Sequence, residues 1–260
     1  MKLIFSDIDG TLINNKHQVT PATKEAIRHR IALGDMFIPV SARMPQAIET
    51  VGNEITTNYP MICYNGALII DKDGQTIASQ PMEIAEAESI IKLVSEEYPD
   101  VAWNVYAARK WLSPRMPANL NEERIVQVES TRATLEDVAN LPSCHKTLLI
   151  GQPQEITELQ KKLRQEFTDL NIVKSSPILL EIMAKGIQKG QAVKQLIDFY
   201  KVPIADTWAF GDNYNDEEML KAVGHSVVMG NAPADLKQNA DEVTLDNNHD
   251  GIAAALNKML

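Results

Sequence analysis

Five short apolar runs, each followed within two residues by a small, amide or acidic residue, constrain this chain more than any other feature. Leu3-Ile4-Phe5 stops at Ser6-Asp7, Met36-Phe37-Ile38-Pro39-Val40 at Ser41, and Met61-Ile62-Cys63 at Tyr64-Asn65-Gly66. Thr207-Trp208-Ala209-Phe210 stops at Gly211-Asp212, and Ser226-Val227-Val228 at Met229-Gly230. Runs this apolar suit strands buried on both faces, as in a parallel sheet. Helical patterns separate several of them. Thr20 is placed to cap a helix that opens on Pro21, carries Ala26, Ile27 and Ile31 on one side, and ends before Gly34. A second pattern runs from Lys189 to Tyr200 with Val193, Leu196, Ile197 and Tyr200 at helical spacing, and a short one from Asp216 to Gly224. This alternation predicts an α/β fold on a doubly wound, mostly parallel sheet. Ligands bind such sheets beyond the carboxyl ends of the strands, so the residues at which the runs stop are the candidates for function.

The middle of the chain reads differently. Ile69-Ile70, Asp71-Lys72-Asp73-Gly74 and Thr76-Ile77 predict a hairpin with an Asp-Gly turn. Beyond it come two helical stretches, 85–97 and 155–167, and strand-like segments at 101–106, 125–128, 146–150 and 179–183. That is enough for a second α/β unit. The expected division is a first domain formed by 1–81 and 185–260, with 82–184 inserted as the second.

The chain of 260 residues carries 25 Lys and Arg against 35 Asp and Glu, a net charge of −10. An acidic surface repels nucleic acid and anionic lipid, so neither is the expected partner. Cys63 and Cys144 cannot build a disulfide framework, and reduced thiols are the simpler reading. The first apolar run is too short for a signal peptide, and no later run approaches a membrane span. These features predict a cytoplasmic protein.

Asp7 and Asp9 follow the first run directly and precede Gly10-Thr11-Leu12. Two carboxylates at positions i and i+2 can face one ligand if the chain turns at Gly10. The pair suits a hard cation with oxygen ligands, or a nucleophile beside a general acid and base. A calcium loop fails on spacing, because glycine falls fourth and Gln18 stands at the twelfth position. A solvated turn remains, but Asp7 abuts a core strand where an idle charge is costly. Asp212 would make a third carboxylate of the set, and capping does not explain it. Asp216 fits helix capping and metal-site work equally. Ser41 can bind a phosphate oxygen or be a plain loop serine; the glycines of a nucleophile elbow are absent around it. Lys189 opens its helix against the macrodipole, which hints at an anionic contact, and Lys185 competes with it for that role. The five histidines show no zinc spacing. Trp103, Arg109, Trp111 and Arg115 fit a substrate pocket, or the core and surface of the insertion.

Taken in order, these segments resemble the four motifs of the haloacid dehalogenase superfamily of phosphotransferases. Asp7-Ile8-Asp9-Gly10-Thr11-Leu12 matches the first motif, Ser41 the second, Lys189 rather than Lys185 the third, and Gly211-Asp212-Asn213-Tyr214-Asn215-Asp216 the fourth. The large insertion and Asn65-Gly66-Ala67 are similar to the Cof-like branch, whose members largely hydrolyse sugar phosphates and related small esters. Ala42 stands where the family often has Gly. The resemblance implies a Rossmann-like core with a large inserted α/β cap domain, and a small phosphorylated metabolite as substrate. It implies Asp7 as the nucleophile that forms an aspartyl-phosphate, and Asp9 as the acid and base. Magnesium would be held by the Asp7 carboxylate, the Asp9 backbone carbonyl and Asp212, with Asp216 in support. Ser41 and Lys189 would hold the phosphoryl oxygens, and Thr11, Arg43, Asn65, Gly66 and Asn215 would bind substrate. A phosphomutase using the same intermediate and a non-catalytic phosphate binder are the competing functions.

Overall fold

The five apolar runs become neighbouring strands of one sheet, Leu3–Asp7, Met36–Val40, Met61–Cys63, Thr207–Gly211 and His225–Val228. The computed structural model describes residues 1–259, and its chain divides into two units. The first holds residues 1–43, 48–78 and 188–260, and the second residues 44–47 and 79–187, within which the expected insertion lies. The sheet of the first unit has eight strands, in the order Glu242–Val243, His225–Val228, Thr207–Gly211, Leu3–Asp7, Met36–Val40, Met61–Cys63, Leu68–Ile70 and Thr76–Ser79. The first six run parallel, and Leu68–Ile70 is antiparallel to Met61–Cys63.

Leu3–Asp7 lies at the centre, and all five of its residues are buried. From it the sheet grows one way through Met36–Val40 and the other way through Thr207–Gly211. This reversal opens a crevice beyond the strand ends, which is where Asp7 and Asp212 stand. Leu3, Phe5, Ile38 and Val40 pack with Val193, Leu196 and Ile197 of the helix Lys189–Tyr200, so one core both holds the sheet and docks that helix.

Local chemistry sets the connections. The helix Pro21–Ala32 begins where the Thr20 hydroxyl accepts the Thr23 N–H and Pro21 supplies a preset φ. It ends before Gly34, whose φ of +92° suits a residue without Cβ. In the Leu68–Ile70 to Thr76–Ser79 hairpin the Asp71 carboxylate accepts the N–H groups of Asp73 and Gln75, at 2.9 and 2.7 Å. Gly74 then closes the turn at φ +81°.

The second unit has its own sheet, in the order Leu170–Ser176, Leu179–Ala184, Lys146–Ile150, Ala102–Ala107, Lys110–Ser113 and Thr131–Arg132. The helices Ile84–Glu97 and Pro153–Glu166 bury Ile90, Ile91, Ile156 and Leu159 against Val105, Leu149 and Ile182 of that sheet. Trp103 joins this core, and Trp111 is buried with its indole N–H on Asn104 Oδ1. Arg109 is exposed, and Arg115 pairs with Glu123.

One expected strand is absent. Ile125 and Val126 end the helix Pro117–Val126, and Gln127 caps it at φ +57°. Helix pitch splits the apolar pair, burying Val126 and leaving Ile125 exposed. The start of this helix is fixed by Asn119, whose amide donates to Trp103 O and Asn104 Oδ1 while its oxygen accepts the Met116 N–H. Tertiary hydrogen bonds here outweigh the β propensity of Ile-Val.

Arg30 and Asp35 form a buried ion pair at the other end of the first sheet. Asp35 also accepts the Lys2 N–H at 2.7 Å, and Arg30 donates to Met259 O at 3.2 Å. Arg30→Met leaves Asp35 buried without its guanidinium, and the variant is expected to lose about 3–5 kcal/mol in urea unfolding. A loss below about 1 kcal/mol would show that the pair holds nothing in place.

Candidate active site

Asp7 is the last residue of its strand, and the chain turns at once beyond it. Ile8 O accepts the N–H groups of Thr11, Leu12 and Ile13 at 3.3, 3.0 and 3.0 Å, and Gly10 takes φ +86°. A Cβ at Gly10 would stand 2.4 Å from Asp212 Oδ2. Glycine is therefore needed here both for its backbone conformation and for the closeness of the second acidic strand end.

Lys189 is only 1% exposed, and its ammonium donates to Asp7 Oδ1 at 2.5 Å and to Asp216 Oδ1 at 2.7 Å. Lys185, its rival in the sequence, lies on the surface and pairs with Asp169. Asp216 is fully buried, and its Oδ2 accepts the N–H groups of Asp212 and Asn213, at 3.0 Å each. Capping and charge pairing are thus divided between the two oxygens of one carboxylate. Asp212 accepts the Thr11 hydroxyl at 2.8 Å on Oδ1 and the Asn231 amide at 3.0 Å on Oδ2.

One oxygen from each of Asp7, Asp212 and Asp216 lies within 4.8 Å of the others. Lys189 pairs with two of these three carboxylates, and Asp212 has only the neutral donors Thr11 and Asn231, so acidic groups outnumber the cation in the cluster. Burial pushes the Asp7 carboxyl well above its ordinary range; Lys189 opposes the shift, and Asp216 and Asp9 add to it. Burial likewise raises Asp212 to about 6, opposed by the Thr11 hydroxyl and reinforced by Asp216. Burial works against the Lys189 charge, but Asp216 and Asp7 prevail and its pKa is raised. Oxygen donors with charge to spare fit a hard divalent cation, so the residues present suit the metal the sequence implied.

Asp9 stands outside that carboxylate cluster. Its side chain is 53% exposed and is gripped by Arg43, Nε to Oδ2 at 2.9 Å and Nη2 to Oδ1 at 2.6 Å. Ser41 is buried at the end of the next strand. Its hydroxyl accepts the Arg43 N–H at 3.2 Å, and its carbonyl accepts the Asn65 N–H at 2.9 Å. Tyr64, Asn65 and Gly66 turn through φ of 53°, 55° and 113°. A Cβ on Gly66 would stand 2.9 Å from Gln188 O, so this glycine lets the start of the Lys189 helix approach. Gly66 makes a packing contact there, and the Thr11 hydroxyl donates to Asp212. Asn215 is exposed, in the turn between Asp212 and Asp216.

Asn231 is the residue sequence reasoning passed over. It bonds Asp212 and also Gly10 O, at 2.9 Å. The signal was available, because Asn231 directly follows Met229-Gly230, where the fifth apolar run stops.

The parallel sheet and the carboxylate cluster at its strand ends define an α/β protein with a candidate oxygen-donor metal site. Residues 4–256 match the haloacid dehalogenase-like hydrolase family, and the chain belongs to it. A Haemophilus influenzae protein whose name assigns it provisionally as a phosphatase is 35% identical over 267 residues, covering 98% of this chain and 97% of its own. Phosphatase YwpJ of Bacillus subtilis is 28% identical over the full length of both chains. A crystal structure of a haloacid dehalogenase-like hydrolase from Bacteroides thetaiotaomicron superposes with a TM-score of 0.93 at 24% identity, covering 100% of this chain and 99% of its own.

A proton on Asp212 competes with a cation for the same oxygens. Because its pKa is raised to about 6, the group is protonated below that pH and ionised above it. Titration calorimetry with Mg2+ is expected to show affinity climbing between pH 5 and 6 as Asp212 ionises. An affinity constant across that range would count against Asp212 as a ligand.

Proposed function

We propose that this hydrolase is a magnesium-dependent phosphatase of small phosphate esters, sugar phosphates among them, working through an aspartyl-phosphate on Asp7. The observation that carries the reading is the meeting of Asp7, Asp212 and Asp216 carboxylate oxygens within 4.8 Å of one another at a strand-end crevice, with the buried Lys189 ammonium paired to Asp7 and Asp216. The phosphatase names of the relatives support it.

Asp7, Asp212 and the Asp9 carbonyl would hold the ion, with Asp216 bracing Lys189 and the Asp212 backbone. A bound magnesium supplies positive charge against the phosphate dianion, which would otherwise repel the attacking carboxylate. The remaining steps belong to the chain. A carboxylate oxygen of Asp7 attacks phosphorus, and the ester oxygen leaves with a proton from Asp9. Asp9 then takes a proton from the water that cleaves the acyl phosphate, which frees Asp7 and inorganic phosphate. Lys189 and the Ser41 hydroxyl would hold the phosphoryl oxygens, where charge accumulates in the transition state. Arg43 grips both Asp9 oxygens in the resting site. A substrate phosphate competes for that guanidinium fork, so substrate binding would itself release Asp9 for proton transfer. The second unit would act as a cap that selects the leaving group.

Asp7→Asn keeps the shape and removes the nucleophile. Hydrolysis of an aryl phosphate with Mg2+ is expected to fall to background, and turnover persisting at the wild-type rate would reject the mechanism. Lys189→Met is expected to lower kcat by roughly 10²–10³, the typical effect of losing one preorganised charge donor. A change in KM alone would move Lys189 out of the transition state and into ground-state binding.

A further inference from the structure

We propose that Asn231 is the positioning residue that locks the Asp212 carboxylate to the Asp7–Gly10 turn, and so sets the divalent-ion affinity of the site. The inference rests on the metal-dependent reading above and adds a residue outside the four motifs.

The amide of Asn231 spends both donor hydrogens on the site. Nδ2 donates to Gly10 O at 2.9 Å and to Asp212 Oδ2 at 3.0 Å. Its Oδ1 accepts the Asn247 N–H at 3.1 Å, which fixes which way the amide faces. Turned over, it would set an oxygen against two acceptors and an NH2 against a donor, so only one orientation is satisfied. Asn247 is itself buried, and its side chain donates to Ile13 O at 3.0 Å and Asn15 Oδ1 at 3.2 Å. The loop after the first acidic strand is therefore held at Gly10, at Ile13 and at Asn15 by one pair of asparagines.

The consequence falls on Asp212. Its two oxygens receive one donor each, Thr11 on Oδ1 and Asn231 on Oδ2. With both in place the carboxylate plane cannot rotate freely, and it faces the cluster shared with Asp7 and Asp216. Outer hydrogen bonds of this kind hold a ligating carboxylate in its binding orientation and raise affinity for the ion. Asn231 is itself exposed, so the fold does not depend on burying it.

The test uses Asn231→Leu, which matches the shape and neither donates nor accepts, alongside Asn231→Ala. Full-length proteins are titrated with Mn2+ by electron paramagnetic resonance, and melted in EDTA. The expected result is ion affinity weaker by roughly 10–100-fold in both variants, with EDTA melting temperatures unchanged. Turnover of an aryl phosphate should recover as Mg2+ is raised, with the ester KM unaltered at saturating ion. Wild-type ion affinity in both variants overturns the proposal. So does an affinity loss matched by a collapse in EDTA melting, which would assign Asn231 to the fold. The two readings fail separately: a wild type that binds Mn2+ and turns over ester keeps the phosphatase reading whatever the variants do, and a wild type that binds no ion defeats both.

Discussion

The buried ammonium of Lys189, set between Asp7 and Asp216, is the interaction on which the site depends. An ammonium almost without solvent contact is tolerable only if charge surrounds it, and two carboxylates do so. The converse holds as well. Asp7 ends a strand buried on both faces, where a lone carboxylate would be expelled or protonated, and Lys189 opposes that outcome. One cation against three acids leaves a deficit of positive charge, and a cluster with that deficit suits a metal ion better than a closed salt bridge does.

The fold delivers these groups with little freedom. Asp7 and Asp212 leave adjacent parallel strands at the point where strand order reverses, so their backbones diverge and their side chains meet. Gly10 allows Asp212 to approach the first turn. Gly66 allows the helix carrying Lys189 to approach the third strand end, and the hydrophobic contacts of Val193, Leu196 and Ile197 keep it there. Asp216 binds the turn that carries Asp212 and the ammonium that meets Asp7, so one buried carboxylate couples three chain segments. In the second unit a separate sheet buries its own core under two helices, an independent solution to the same need for apolar burial.

Much of this was legible beforehand because parallel strands buried on both faces announce themselves as unbroken apolar runs, and their ends mark the functional rim. The two acidic turns and Ser41 could be read that way, and Lys189 from its place against the dipole at a helix start. Ile125-Val126 misled because β-branched residues favour strands only until tertiary hydrogen bonds, here those of Asn119, pay for a helix.

By itself the sequence determined the alternation of strand and helix, the helix caps, the glycine turns and the chemical kinds of group at the rim, since each follows from local periodicity or conformational preference. Only the tertiary structure decided that Lys189 bridges Asp7 and Asp216, that Asp9 is held by Arg43, that Thr11 and Asn231 clasp Asp212, and that Asp216 divides its oxygens between backbone and ammonium. Those are contacts between residues 19 to 201 positions apart, or a division of labour between the two oxygens of one side chain, and sequence spacing carries no record of either.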